Sequence, residues 1–115
     1  MNQPQTTPWY VLNSPEIGKP FHDFYEACSR GAVLDHKTRE LLMLCLASVF
    51  RCPHCTESHI EAALEAGATR EEITEALLIT ALEAAGTQLA WAKDTFSKYL
   101  ANNEKRVVAM VGKAV

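Results

Sequence analysis

Residues 40–59 read ELLMLCLASVFRCPHCTESH, and both the fold class and the chemistry of the chain turn on this stretch. From Leu41 to Phe50 it is apolar on every side except Ser48. That pattern belongs to a helix buried all round, either at the centre of the fold or against a neighbouring subunit. Cys52-Pro53-His54-Cys55 follows. Proline is favoured at the first helical position because its missing N–H would be unpaired there, so Pro53 predicts a new helix with Cys52 as cap and Cys55 in the first turn. Unpaired N–H groups and the positive end of the helix dipole favour an anion at this point and raise the thiolate fraction of a cysteine. A helix running on from Pro53 stacks Cys52, Cys55 and His59 along one face. Two cysteines at this spacing can close a small disulfide loop, and an imidazole beside a thiol can take its proton. Glu40, at the start of the apolar run, reads by itself as a solvated first-turn acid.

The chain has 115 residues, enough for one domain with a modest core and small enough to need partners to cover all its apolar surface. Hydrophobic residues make up 48% and charged residues 22%, with a formal net charge of −3. No basic stripe exists to meet phosphates, so nucleic acid is not an expected partner. Leu41 to Phe50 is far shorter than a membrane span, and no charged leader precedes an apolar core; a cytoplasmic protein that meets no membrane is expected. The absence of an export signal also argues against a secreted disulfide scaffold and for redox or metal chemistry at the CxxC pair.

Outward from this centre, residues 1–13 hold Pro4 and Pro8 without periodicity and predict an extended arm, anchored by Trp9 and Tyr10. Ser14 and Pro15 predict a capped helix with Phe21, Phe24, Tyr25 and Cys28 on one stripe, ending before Gly31; Cys28 reads as a core residue. Asp35 predicts the cap of the helix running to about Arg51. The CxxC helix should stop at Gly67. Thr69 and Glu72 form a capping box for a fourth helix with Ile73, Ala76, Leu77, Thr80, Ala81 and Ala84 inward, and Gly86 predicts a break before a fifth helix to about Leu100. The helical domain is thus expected over 14–101. The tail, 102–115, repeats Val107, Val111 and Ala114 at helical spacing, compatible with a short helix or with reach to another subunit. No segment alternates as a strand does, so the fold class is all-α, and the buried helix before the CxxC pair separates it from thioredoxin-like proteins.

Glu40, eleven residues, Cys52, two residues, Cys55, three residues, His59 together resemble the signature of AhpD-like proteins, the alkylhydroperoxidases of the carboxymuconolactone decarboxylase family. The resemblance extends from about Ser14 to Leu100 through LDHKTRELL, RCPHC, EAALEAGATREEI and the stretch near Ala84-Ala85-Gly86. It implies an AhpD-like domain of about five to six helices assembling as a homo-oligomer, trimer or hexamer. It further implies an enzyme, a thiol peroxidase that reduces hydroperoxides and is re-reduced by a dithiol donor, either a lipoyl group or a small redox protein. His54, between the cysteines, also matches the peroxidase members. The decarboxylases that name the family lack the CxxC pair, which makes decarboxylation a poor candidate.

By this resemblance the catalytic set is Glu40, Cys52, His54, Cys55 and His59. Glu40 acts with His59 to deprotonate Cys55, the thiolate attacks the peroxide O–O bond, Cys52 closes the disulfide, and His54 tunes the relay. No cofactor or metal is expected. The residues alone leave the order of the sulfurs open, because Cys52 feels the helix terminus most directly while Cys55 has the imidazole four residues on. Other readings are a general thiol–disulfide oxidoreductase, zinc held by Cys52, Cys55 and His59 with Glu40 or His54, and a non-catalytic or redox-sensing oligomeric module.

Overall fold

In the computed structural model, the backbone is described for residues 6–114 and the side chains for residues 6–100. Among the described residues every regular element is helical: α1 (Trp9–Asn13), α2 (Pro15–Arg30), α3 (His36–Val49), α4 (Pro53–Glu65) and α5 (Arg70–Ala114). The chain divides into two compact units, residues 1–73 and residues 74–115.

In the first unit, α1 replaces the second half of the expected extended arm; the first half, residues 1–5, lies outside the described residues. Tyr10 anchors α1, its hydroxyl 3.2 Å from His22 Nδ1 and its ring edge-on to Phe21 at 5.4 Å. Trp9 is exposed, its ring edge-on to that of Tyr10 beside it on α1 at 5.8 Å. Ser14 stands where a cap was expected but makes no side-chain cap bond. It is instead the joint between two helices, its N–H donating to Tyr10 O and its carbonyl accepting from Gly18 N–H. The close approach requires Gly18, where an added Cβ would lie 2.4 Å from Tyr10 O.

Asp35 caps α3 as expected, accepting from Thr38 N–H at 3.4 Å and from the Thr38 hydroxyl. The hydroxyl bond first, then the backbone bond, lowers the Asp35 pKa. Thr69 and Glu72 form the reciprocal capping box, each side chain accepting the other's backbone N–H at 3.0 Å. Lys37 Nζ donates to Glu72 Oε2 at 2.8 Å, tying the start of α3 to the start of α5.

The core of the first unit is the α3–α4 contact, where Leu44, Ala47 and Ala63 are buried; Ala68, just beyond α4, joins them. The expectation that α3 is buried all round does not hold within this chain: Leu42, Leu46, Val49 and Phe50 are exposed. The physical reason is geometric. One neighbouring helix covers one stripe of a cylinder, and α4 meets the Glu40, Leu44 and Ala47 stripe. Cys28 is likewise exposed, as are Phe21, Phe24 and Tyr25 on the same stripe of α2, so it is not a core residue of the first unit.

The second unit, from Thr74, is the remainder of α5. The break expected at Gly86 is absent and the helix continues for 45 residues in all, through the segment expected as a separate tail. A mid-helix glycine costs about 1 kcal/mol relative to alanine, which weakens a helix without ending one. Of the stripe expected to face inward, Ala81 and Ala84 are exposed, as are Leu82, Leu89, Trp91 and Phe96.

Candidate redox site

The site is built on the turn between α3 and α4. Phe50 closes α3, and Arg51 follows in the left-handed region at φ 58. Arg51 N–H donates to Ser48 O and Cys52 N–H to Ala47 O, the paired bonds of a Schellman turn. The same arrangement ends α4, with Gly67 at φ 93 in the left-handed position and Ala68 N–H bonded to Ala63 O. Glycine takes that conformation without steric cost; an arginine does not. The return is a reversal short enough that Cys52 becomes the cap of α4 at once.

Cys52 occupies the cap as expected, with Pro53 at the first helical position and the Cys52 sulfur accepting Cys55 N–H at 3.2 Å. Its carbonyl accepts from both the N–H and the hydroxyl of Thr56. Cys52 and Cys55 are joined as a disulfide, with Cα atoms 5.3 Å apart, while Cys28 and Cys45 take no part in it. Both half-cystines are half-buried.

One turn beyond Cys55 on the same face of α4, His59 Nδ1 lies 2.8 Å from Glu40 Oε2. Glu40 is 8% exposed and is therefore not the solvated acid that its local sequence suggests. A carboxylate can only accept, so this bond places a proton on Nδ1 and leaves Nε2 as the basic nitrogen of a neutral ring. The other carboxylate oxygen of Glu40 faces His36 Nε2 at 3.6 Å. Glu40 thus stands between two imidazoles, one half-buried and one exposed. His36 is the residue that sequence reading missed; its signal was the four-residue spacing to Glu40 within one helix.

The structure brings together Glu40 with His59 and Cys52 with Cys55. It does not bring His54 to either pair: His54 is exposed in the first turn of α4, with no hydrogen bond or ion pair among the described residues. Nor does any group of three or more His, Cys, Asp and Glu side chains among the described residues converge as metal ligands would. An open groove of about 680 Å³ runs beside the disulfide, walled by Ser48 and Arg51 at the end of α3 and by Cys52, Pro53, Thr56, Glu57, Ile60 and Glu61 on α4. A capped sulfur pair able to cycle between dithiol and disulfide, with a carboxylate-oriented imidazole one turn away, can perform thiol redox chemistry.

Residues 15–96 match the model of the carboxymuconolactone decarboxylase family. A solved structure of a protein from Methanobacterium thermoautotrophicum is similar, with a TM-score of 0.68 and 33% identity over 76% of this chain and 98% of that one. A relative from Paracoccus denitrificans, described as uncharacterized protein 4 in the cox locus, is 41% identical over 59 residues. That match takes in 51% of this chain and 53% of the relative, so the chain spans about half the relative's length.

Proposed function

The chain belongs to the carboxymuconolactone decarboxylase family, and on that footing we propose that it is an AhpD-like, thiol-dependent peroxidase of the alkylhydroperoxidase type. The observation that carries this reading is the Cys52–Cys55 disulfide across the start of α4 with the His59–Glu40 pair one turn further on. In the reduced protein, His59 Nε2 takes the Cys55 proton while Glu40 holds Nδ1. The Cys55 thiolate attacks the distal oxygen of a hydroperoxide, the O–O bond breaks, and the alkoxide leaves with the proton as an alcohol, forming Cys55 sulfenic acid. The Cys52 thiol attacks that sulfur, water leaves, and the disulfide forms. An external dithiol, a lipoyl group or the CxxC of a small redox protein, then restores both thiols by exchange. The protein's own residues supply the whole couple, without a cofactor.

The same reading takes the protein to be a cytoplasmic homo-oligomer, a trimer or hexamer. Its support is the amount of apolar surface that one chain leaves open, including Phe24 and Tyr25 on α2, Leu46 and Phe50 at the end of α3, and Leu82, Leu89 and Trp91 on α5. No helix among the described residues is long and apolar enough to cross a membrane.

The test is turnover. With an alkyl hydroperoxide and a dithiol donor, wild type consumes peroxide catalytically while Cys52→Ser and Cys55→Ser do not. A wild type no faster than either variant would overturn the peroxidase assignment, and a wild type that only exchanges disulfides would mark it as a general oxidoreductase.

A further inference from the structure

The proposed cycle needs an external thiol to reopen the disulfide, and the two sulfurs are not equivalent targets. Thiol–disulfide exchange is an in-line displacement: the incoming sulfur approaches the attacked sulfur from the side opposite the S–S bond, and the other sulfur departs. Access and leaving-group stability therefore decide which sulfur is struck. Leaving-group stability does not separate them clearly. The Cys55 N–H at 3.2 Å would stabilise a thiolate at Cys52, while the first turn of α4 would stabilise a thiolate at Cys55.

The groove does separate them. Both are half-buried, but Cys52 is among the residues that wall the groove between the end of α3 and α4, and Cys55 is not. Cys52, Thr56 and Ile60 recur every fourth residue along that wall, whereas Cys55 and His59 occupy the stripe that meets Glu40 on α3. At about 680 Å³ the groove accommodates a thiol-bearing side arm or a small molecule, being within the size range of sites that hold small ligands.

Given the redox reading above, we propose that the α3–α4 groove is the entry site for the thiol reductant and that Cys52 is the sulfur it attacks. The donor thiol gives up its proton to solvent and its thiolate bonds to the Cys52 sulfur, the S–S bond breaks, and the electron pair of that bond leaves on Cys55 as a thiolate, which takes a proton from solvent. The donor's second thiolate then attacks its own sulfur in the mixed disulfide, releasing Cys52 as a thiolate and the donor as a cyclic or intramolecular disulfide. Peroxide and reductant thus work on different sulfurs of the same pair.

The test uses glutathione as a monothiol probe, because a monothiol carries no second thiol to attack its own mixed disulfide, and a rapid acid quench traps the adduct before the released cysteine or a second glutathione displaces it. Oxidised protein is mixed with glutathione, quenched with acid at partial conversion and alkylated with N-ethylmaleimide. Cleavage after Arg51 and Arg70 releases both cysteines on one peptide, and fragmentation between them locates the adduct. Glutathione is expected on Cys52 and N-ethylmaleimide on Cys55, in at least roughly tenfold excess over the reverse pattern. An adduct on Cys55, an even mixture, or a disulfide that glutathione does not open would each overturn the proposal. Glu61→Trp, at an exposed position on the groove wall, should slow reduction by glutathione several-fold more than reduction by 2-mercaptoethanol; equal effects on both thiols would also refute the groove route. The two readings fail separately. Glutathione on Cys52 without peroxide turnover sinks the peroxidase assignment alone, and turnover with glutathione on Cys55 sinks the groove assignment alone.

Discussion

Replacing Glu40 with glutamine probes the proposed relay at its least exposed member. Glu40 is 8% exposed and holds His59 Nδ1 at 2.8 Å, with His36 Nε2 at 3.6 Å from its other oxygen. Glutamine keeps the size and one acceptor: its carbonyl can take the place of Oε2 against His59, and its amide can donate to a neutral His36. The fold should therefore survive, with stability changed by no more than about 1 kcal/mol. What disappears is the negative charge facing the imidazole that must become positive when it takes the thiol proton. A hydrogen bond to a charged group contributes about 1.5–3 kcal/mol. At about 1.4 kcal/mol per factor of ten, that corresponds to a roughly 10- to 100-fold slower attack on peroxide. Glu40→Ala should be at least as slow and also less stable, because it leaves Nδ1 of a half-buried ring unpaired. The assay mixes fully reduced protein with excess alkyl hydroperoxide, follows loss of free thiol with time, and pairs each variant with a urea melt. A Glu40→Gln protein that melts like wild type and oxidises as fast would refute the claim that Glu40 acts through His59.

Leu44 is fully buried between α3 and α4, and Leu44→Ala should cost about 2–5 kcal/mol in a urea melt; a loss well under 1 kcal/mol would mean that the α3–α4 contact is not the core of the first unit. Gly67→Ala meets no neighbouring atom but sits at φ 93, so it should cost about 1–2 kcal/mol from backbone strain alone, read from the same melts. Gly18→Ala instead places a Cβ against Tyr10 O and should lift α1 from α2, visible as a changed fluorescence of Trp9 and Tyr10 with little effect on thiol chemistry. The polar ties at the start of α3 and α5 set a pH dependence. The Lys37 ammonium first, and the Thr69 N–H next, lower the Glu72 pKa from 4.5, and bonds from Thr38 lower that of Asp35 from 3.8. Depressed carboxyl pKa values contribute stability that is present above those ordinary values and is lost as pH falls through the lower folded ones. Lys37 is raised above 10.5 by Glu72, so its contribution is full below that value and lost above it. Melts of wild type and the Asp35→Asn, Glu72→Gln double variant should differ at pH 7 and converge at acid pH; a difference that persists undiminished at low pH would contradict these ties.

Much of the site was legible from local rules. Pro53 set the start of α4, a cysteine before it became the cap, and a histidine four residues after Cys55 had to share its face, because a helix repeats every 3.6 residues wherever it packs. Asp35 and the Thr69–Glu72 box were readable for the same reason: capping bonds join residues three apart in the chain, and tertiary context seldom changes them. The all-α class followed from periodicity without alternation.

What the tertiary structure decided was everything that depends on what covers a helix. Glu40 looks like a surface acid until α4 lies across it and supplies His59, nineteen residues away. Cys28 and the outer face of α3 look like core until the first unit is found to leave both exposed. Gly86 was read as a break because its cost is local, yet helix formation is cooperative and about 1 kcal/mol at one position does not stop it. Arg51 in a left-handed turn carried no signal at all, since arginine does not favour that conformation; it sits at the centre of the Schellman bonds that close α3. Sequence alone thus determined which reactive groups share the helix, and the fold determined which acid orients the histidine and which cysteine walls the groove.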